Sequence, residues 1–345
     1  MCRLTLAISE VALVLLLFAS QRSNAFVAPF RLPVQQQVVP GRSSGTQRTL
    51  RSVVSAAAIL YNDGANPGAA AASSAAGTTA MDGSVTSVRA GESRLVVRNE
   101  AERYDLHGIL TVKQEGSTSI WVLCHGLCSS CNGTVPRFVS EKLNVNTCRF
   151  DFAGCGKSGG DWKYAGYDRE LGDLRAVVLR LRELGWSVDC ILGHSKGAAA
   201  VLRYGESFDD VDLIVNVAGR FDTTQTPRSR FTEEQWNQLQ ETGSFVWTVK
   251  GKDLTIYRRD FEERAALDMR RTAGAIKRSK VLTIHGKDDA TIPVADAFEF
   301  DRVLPNHELV VVEGGTHNFA TAPEQVKVIE ALGPYVGGVD PSAEK

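Results

Sequence analysis

The stretch Leu192-Gly193-His194-Ser195-Lys196-Gly197-Ala198 sets a serine hydroxyl between two glycines in the pattern G-x-S-x-G. The apolar run Val188 to Leu192 precedes it and the helix-like Ala198 to Tyr204 follows, so the serine falls where a strand turns sharply into a helix. That is the setting of a nucleophile elbow. A serine on so tight a turn sits in strained backbone, and its neighbours must lack side chains for strand and helix to approach. Ser195 is therefore the candidate nucleophile. Its hydroxyl attacks only when a base takes its proton and a carboxylate orients that base, and elbow chemistry places them in the chain order Ser, Asp or Glu, His. Of the six histidines, only His285, His307 and His317 follow Ser195. His285 ends a strand ahead of the acid, and His307 opens another. His317, in the glycine-rich Glu313-Gly-Gly-Thr-His-Asn-Phe319 after an apolar run, is the candidate base. The loop Ile284-His-Gly-Lys-Asp-Asp-Ala-Thr-Ile-Pro293 offers two adjacent acids, Asp288 and Asp289.

These residues need elements that bring them together. From Glu92 onward short β-rich runs alternate with longer helical patterns, the signature of a mostly parallel α/β sheet. Leu95 to Val97 and Leu106 to Val112 read as an antiparallel hairpin. Ser119 to Cys124, Thr147 to Phe152, Val188 to Leu192, Asp212 to Ala218, Lys280 to Ile284 and Glu308 to Val312 read as strands. Helices are expected over Val135 to Leu143, Tyr167 to Leu184 and Pro323 to Val336, the second with Leu171, Leu174, Val177, Val178 and Leu181 at helical spacing. Residues 220–279 break the alternation. They are helical in pattern, too long for a structureless loop, and carry Phe221, Phe231, Trp236, Phe245, Trp247, Tyr257 and Phe261. We read them as a helical lid whose aromatics either line a mainly apolar pocket or pack the lid onto the body.

Other chemistries fit less well. Gly154-Cys-Gly-Lys-Ser158 resembles the end of a phosphate-binding G-x-x-x-x-G-K-[ST] loop, yet its first glycine would have to be residue 151, which is Asp151. A negative side chain stands where amides should cradle phosphate. The formal net charge is −1, and residues 1–91 carry seven Arg against only Glu10, Asp63 and Asp82, so the remainder is acidic by about five charges. No basic stripe marks a nucleic-acid partner. The seven cysteines are odd in number, and five of the six beyond the leader cluster between Cys124 and Cys155, which argues against a secreted disulfide framework. Cys128-Ser-Ser-Cys131 lacks a second pair for zinc. Buried free thiols are expected, with a thiol switch beside the site as the alternative. No cofactor and no metal is implied.

The chain opens with Arg3, the nine-residue apolar run Val11 to Ala19 and small residues at Ser23-Asn24-Ala25, a signal-peptide pattern over residues 1–25. Nine apolar residues are too few to span a bilayer, which needs about 20, so no stable membrane span is expected in the mature chain. Residues 26–62 hold Arg31, Arg42, Arg48 and Arg51 with several Ser and Thr and no acid, the composition of a transit peptide. Joined directly, with Phe26 at the junction, the two resemble the bipartite leader of plastid proteins in algae with secondary plastids. The resemblance implies a plastid location; secretion with a disordered pro-segment is the alternative. The Gly/Ala/Ser-rich residues 63–91 read as a flexible linker, residues 92–338 as the catalytic domain, and 339–345 as a tail.

With His125-Gly126, Asp151-x-x-Gly154-x-Gly156-x-Ser158, Gly193 to Gly197, His285 to Pro293 and Gly315-Thr316-His317 in this order, the chain resembles the α/β-hydrolase superfamily. That resemblance implies an α/β-hydrolase fold: a mostly parallel central sheet flanked by helices, with the lid inserted. Its acid loop reads H-G-x-x-D-x-x-V-P, which places the acid on Asp289. Its oxyanion hole uses the backbone N–H of the residue after the nucleophile, here Lys196, and one from the loop after the early strand, here Leu127. The Lys196 side chain is expected at the surface or in a salt bridge near the elbow. Gly-His-Ser-Lys-Gly, Phe150-Asp-Phe152 and Val217-Ala-Gly-Arg-Phe-Asp222 more closely resemble plant and algal serine hydrolases related to cinnamoyl and feruloyl esterases and serine aminopeptidase-like hydrolases. Ala198 departs from that group, which tends to carry another Gly there. The resemblance implies ester hydrolysis of small acyl or aromatic acyl substrates through an acyl-enzyme. A thioesterase, acyltransferase or aminopeptidase with the same triad, or a hydrolase-fold ligand receptor without turnover, are the other readings.

Overall fold

The computed structural model describes residues 91–337. The leader and tail expected from the sequence lie outside them, apart from Gly91 at the linker's end. The chain begins with two antiparallel strands, β1 (Glu92–Asn99) and β2 (Tyr104–Thr111). It continues through β3 (Ser119–Cys124), α1 (Thr134–Lys142), β4 (Thr147–Phe150), α2 (Tyr167–Glu183), β5 (Ser187–His194), α3 (Lys196–Ser207) and β6 (Leu213–Val217). After the insertion come β9 (Lys280–Gly286), α7 (Ala295–Asp301), β10 (His307–Val312) and α8 (Ala322–Leu332). The insertion itself holds α4 (Glu233–Thr242), β7 (Ser244–Val249), β8 (Lys252–Tyr257), α5 (Arg258–Ala265) and α6 (Met269–Ala275).

Eight strands form one sheet in the order β1-β2-β4-β3-β5-β6-β9-β10. From β4 to β10 every pair is parallel, and only the pairs on either side of β2 are antiparallel. Parallel strands need crossover helices, and those helices bury both sheet faces. This is why β3, β5 and β6 read as near-continuous apolar runs. One face packs against α2, α3, α6 and α7 through residues such as Leu174, Val201, Ala273 and Phe300, and the other against α1 and α8 through Phe138, Val139, Val328 and Leu332. Helix α2 holds Asp168 and Glu170 in its first turn and Arg180 and Arg182 in its last, each favourable for the helix dipole.

The insertion is not wholly helical, as its pattern suggested. Phe245 and Ile256 face inward from β7 and β8, while Val246 and Tyr257 face solvent, the alternation of a half-buried hairpin. Lys250 and Gly251, both at positive φ (50° and 74°), close its two-residue turn. Residues 295–301 also form a helix, α7, which the sequence reading passed over.

At Gly193 a Cβ would lie 2.2 Å from the carbonyl oxygen of Gly197, backbone against backbone. At exposed Gly172, inside α2, a Cβ meets nothing within 4 Å. Gly193→Ala is expected to cost about 1–3 kcal/mol or more, whereas Gly172→Ala should gain about 0.5–1 kcal/mol. Denaturant unfolding of the two variants measures both.

Candidate active site

Ser195 sits between β5 and α3 with φ 56° and ψ −115°, a conformation that L-residues rarely adopt. The fold holds it there. Its N–H donates to Val217 O at 2.8 Å, and its carbonyl accepts from Ala198 N–H at 3.0 Å. A Cβ on Gly197 would come within 2.5 Å of His125 O, so α3 also presses against the end of β3. The methyl of Ala198 is buried against Gly219, whose own Cβ would lie only 2.8 Å away.

The structure brings together the three residues singled out as nucleophile, base and acid. His317 Nε2 lies 2.9 Å from Ser195 Oγ, and His317 Nδ1 lies 2.7 Å from Asp289 Oδ2. The second Asp289 oxygen accepts the N–H groups of Thr291 and Ile292 at 2.7 and 2.8 Å. Burial pushes the Asp289 carboxyl up, but hydrogen bonds from His285 and His317 and the loop amide of Ile292 outweigh it and hold the acid well below the usual carboxylate range. Asp288 points away and is exposed, with only its N–H used, toward Gly315 O at 2.9 Å. Acid and base loops meet through backbone, since a Cβ on Gly286 would sit 2.3 Å from Gly315 O. His285 is fully buried beneath Asp289, and His307 bridges Asp301 and Thr283 away from the site.

Leu127 and Lys196 line a small pocket together with Ser195. The buried His125 accepts Phe152 N–H on Nε2 at 3.1 Å and donates from Nδ1 to Gly126 O at 2.8 Å. Gly126 O and Leu127 N–H belong to one peptide plane, so His125 fixes the direction of that N–H. Lys196 is not a surface ammonium. Its side chain is 7% exposed and pairs with Glu170 at 2.6 Å, with a further hydrogen bond to Ala165 O. The glycine-lysine-serine loop wraps a carboxylate of the chain itself: Asp151 accepts Cys131 N–H at 2.6 Å and Lys157 N–H at 2.9 Å. A Cβ on Gly156 would collide with that carboxylate at 2.0 Å. All six described cysteines are free, and burial raises the thiols at the site, Cys128 upward and Cys131 to about 12.

Ser195 and His317 open onto a cleft of about 560 Å³ bordered by Ser129, Asn132, Arg230, Trp247, Lys250 and Asn318. It is polar, so of the two roles open to the insertion's aromatics, lining an apolar pocket or packing, this cleft does not support the first. Those aromatics mostly pack on one another: Phe231 contacts Tyr164, Trp236, Phe245, Trp247 and Phe261 at centroid distances of 4.9 to 6.1 Å. A larger cleft of about 900 Å³ lies along α2 and β1 and contains none of these residues. Among the described residues no helix is long and apolar enough to cross a membrane, and no group of three or more His, Cys, Asp or Glu is placed to hold a metal ion.

Sequence reasoning missed Glu324, whose carboxylate accepts Thr316 N–H and Oγ–H at 2.6 Å each and Thr321 N–H and Oγ–H at 2.8 and 2.7 Å. It caps α8 and clamps the residue before His317. The signal was present as the capping box Thr321-x-x-Glu324. Burial opposes ionisation, yet these four donors lower its pKa to about 2. A depressed carboxylate stabilises the fold above its unfolded pKa and loses that contribution as pH falls toward the folded value. Stability should therefore decline between about pH 4.5 and 2, and Glu324→Gln should flatten part of that decline in acid denaturation followed by circular dichroism.

No curated protein matches the sequence. Among solved structures, the Butyrivibrio proteoclasticus protein Est1E with ferulic acid bound is similar at 18% identity and TM-score 0.56, over 68% of this chain and 95% of its own. The esterase domain of a Rhodothermus marinus protein matches at 19% identity and TM-score 0.53 over 71% and 97%. A Pyrococcus furiosus esterase matches at 22% and 0.53 over 71% and 93%. These likenesses show the fold. The model of the alpha/beta hydrolase family matches residues 121–327, which span the strand before His125, the elbow, the insertion and the loops of Asp289 and His317. The chain belongs to the alpha/beta hydrolase family.

Proposed function

We propose that the protein is a serine carboxylesterase with Ser195, His317 and Asp289 as its catalytic triad. The observation that carries this reading is the unbroken hydrogen-bond chain from Asp289 through His317 to Ser195 Oγ. His317 Nε2 takes the hydroxyl proton as Oγ attacks the ester carbonyl. The developing oxyanion accepts the N–H groups of Leu127 and Lys196. The same imidazole returns its proton to the departing alcohol, and water then hydrolyses the acyl-enzyme by the reverse relay. Asp289, accepting from the imidazole Nδ1–H, selects the tautomer that leaves Nε2 free to receive a proton. Similarity to esterases at the level of fold supports carboxylic esters over other acyl donors.

A fluorophosphonate probe should label the wild type and not Ser195→Ala; absence of Ser195-dependent labelling would favour a ligand receptor. Asp289→Asn should lower kcat on p-nitrophenyl acetate by about 10³–10⁴-fold, the size of effect seen when a triad acid becomes an amide, and Asp288→Asn should stay within about twofold. The opposite ranking would move the acid to Asp288. We also propose plastid import by residues 1–62. A fluorescent fusion of that segment should accumulate in the plastid of an alga with a secondary plastid, and appearance in the medium would instead indicate secretion.

A further inference from the structure

A second, small pocket of about 40 Å³ also borders Ser195 and is lined by Leu127, Lys196, Arg220, Arg230 and Arg264; Leu127 and Arg230 border the open cleft as well. His317 borders the open cleft and not this pocket. If a leaving alcohol must lie beside the imidazole that protonates it, the cleft takes the alcohol and the small pocket takes the acyl group. A water occupies roughly 10–15 Å³ of such volume, so the pocket admits about three water-sized groups, enough for a carboxylate, while the methylenes that join it to the scissile carbonyl must lie between the pocket and Ser195 Oγ.

Its charge is unusual for an acyl pocket. Lys196 is neutralised by Glu170, but none of the three arginines makes an ion pair among the described residues. Arg220 donates to Thr291 O at 2.7 Å, with Asp296 near it but bonded instead to Phe221 N–H. Arg230 donates to Tyr164 Oη at 3.1 Å. Arg264, only 6% exposed, donates to Tyr167 Oη and Gln225 O, and its Nε has no partner. Burial pushes the Arg220 guanidinium down, Asp296 opposes this, and the charges of Arg264 and Arg230 add to it. A guanidinium has five donors in a fixed fork and stays charged in proteins. For Arg264, the one buried guanidinium of the three, lack of a salt-bridged carboxylate is costly, and a planar carboxylate is the group a guanidinium fork pairs with best.

We infer that this pocket binds a carboxylate carried by the acyl group, making the preferred substrate a half-ester of a short dicarboxylic acid. The inference rests on the esterase reading for its chemistry and on the arginine pocket alone for its ligand. Wild-type enzyme should cleave monobenzyl succinate at least tenfold better, in kcat/KM, than benzyl butyrate, with benzyl alcohol release measured by chromatography. Arg230→Gln and Arg264→Gln should each lower that preference about tenfold. Succinate itself should bind Ser195→Ala protein in calorimetry and fail to bind when Arg230→Gln is added. Equal rates for the two esters, an unmoved preference in both variants, or no succinate binding to Ser195→Ala would each overturn the proposal. If neither ester is cleaved while succinate still binds in an Arg230-dependent way, the pocket stands and the esterase reading fails.

Discussion

Direct contact of backbone with backbone between β5 and α3 is the constraint on which the site depends. Gly193 and Gly197 touch at a separation that no Cβ could enter, and Gly197 in turn lies against the end of β3. This closeness forces Ser195 into its rare conformation, at an expense of about 1–3 kcal/mol for a residue of this kind. The surrounding hydrogen bonds to Val217 O and from Ala198 N–H fix it there. The return is geometric: the hydroxyl stands clear of the sheet edge at the start of a helix, with the Lys196 amide beside it. A looser turn would lower the strain and lose the alignment with His317.

The loops of Asp289, His317 and Leu127 are held by the same principle, with backbone contacts setting coarse position and buried polar groups setting orientation. Gly286 and Gly315 bring the acid and base loops together. Asp289 spends one oxygen on its own loop and the other on His317, so its side chain both closes its turn and aims the imidazole. Glu324 clamps Thr316 from below. His125 does for the Leu127 peptide what Asp289 does for His317, using both ring nitrogens on neighbouring backbone. The pKa of His194, beside His317, is lowered to about 4 by burial and by the charge of its neighbour, and its Nε2 lies 2.8 Å from His317 O. It stays neutral and serves as a rigid support.

Much of this was legible because Ser195, Asp289 and His317 each follow a strand end closely and lie near glycines that the close contacts require. Ser195, Asp289 and His317 are separated by long stretches of chain, yet each carries its own local mark. The false phosphate loop was also readable, since Asp151 fills by charge the place a phosphate would take. The insertion was harder. Its aromatics fitted either a substrate pocket or packing, and Phe231, Phe245 and Phe261 pack on one another, while the β7–β8 alternation was masked by the helices on both sides. Arg220, Arg230 and Arg264 share no periodicity and lie on separate elements, so only the fold shows that they converge.

That convergence divides the labour in the molecule. On the proposed reading, the sheet and its loops supply a relay and oxyanion donors that are indifferent to what lies beyond the scissile carbonyl. The insertion, having used its aromatic surface to build a small core with Tyr164, has little apolar surface left with which to grip an acyl chain. What it offers beside Ser195 is charge: Arg230 bonded to the same Tyr164, and Arg264 anchored on Tyr167 at the start of α2. Phenol oxygens hold these guanidinium groups in place without neutralising them. On the proposed reading, selection at this end of the substrate rests on electrostatic pairing rather than on hydrophobic fit.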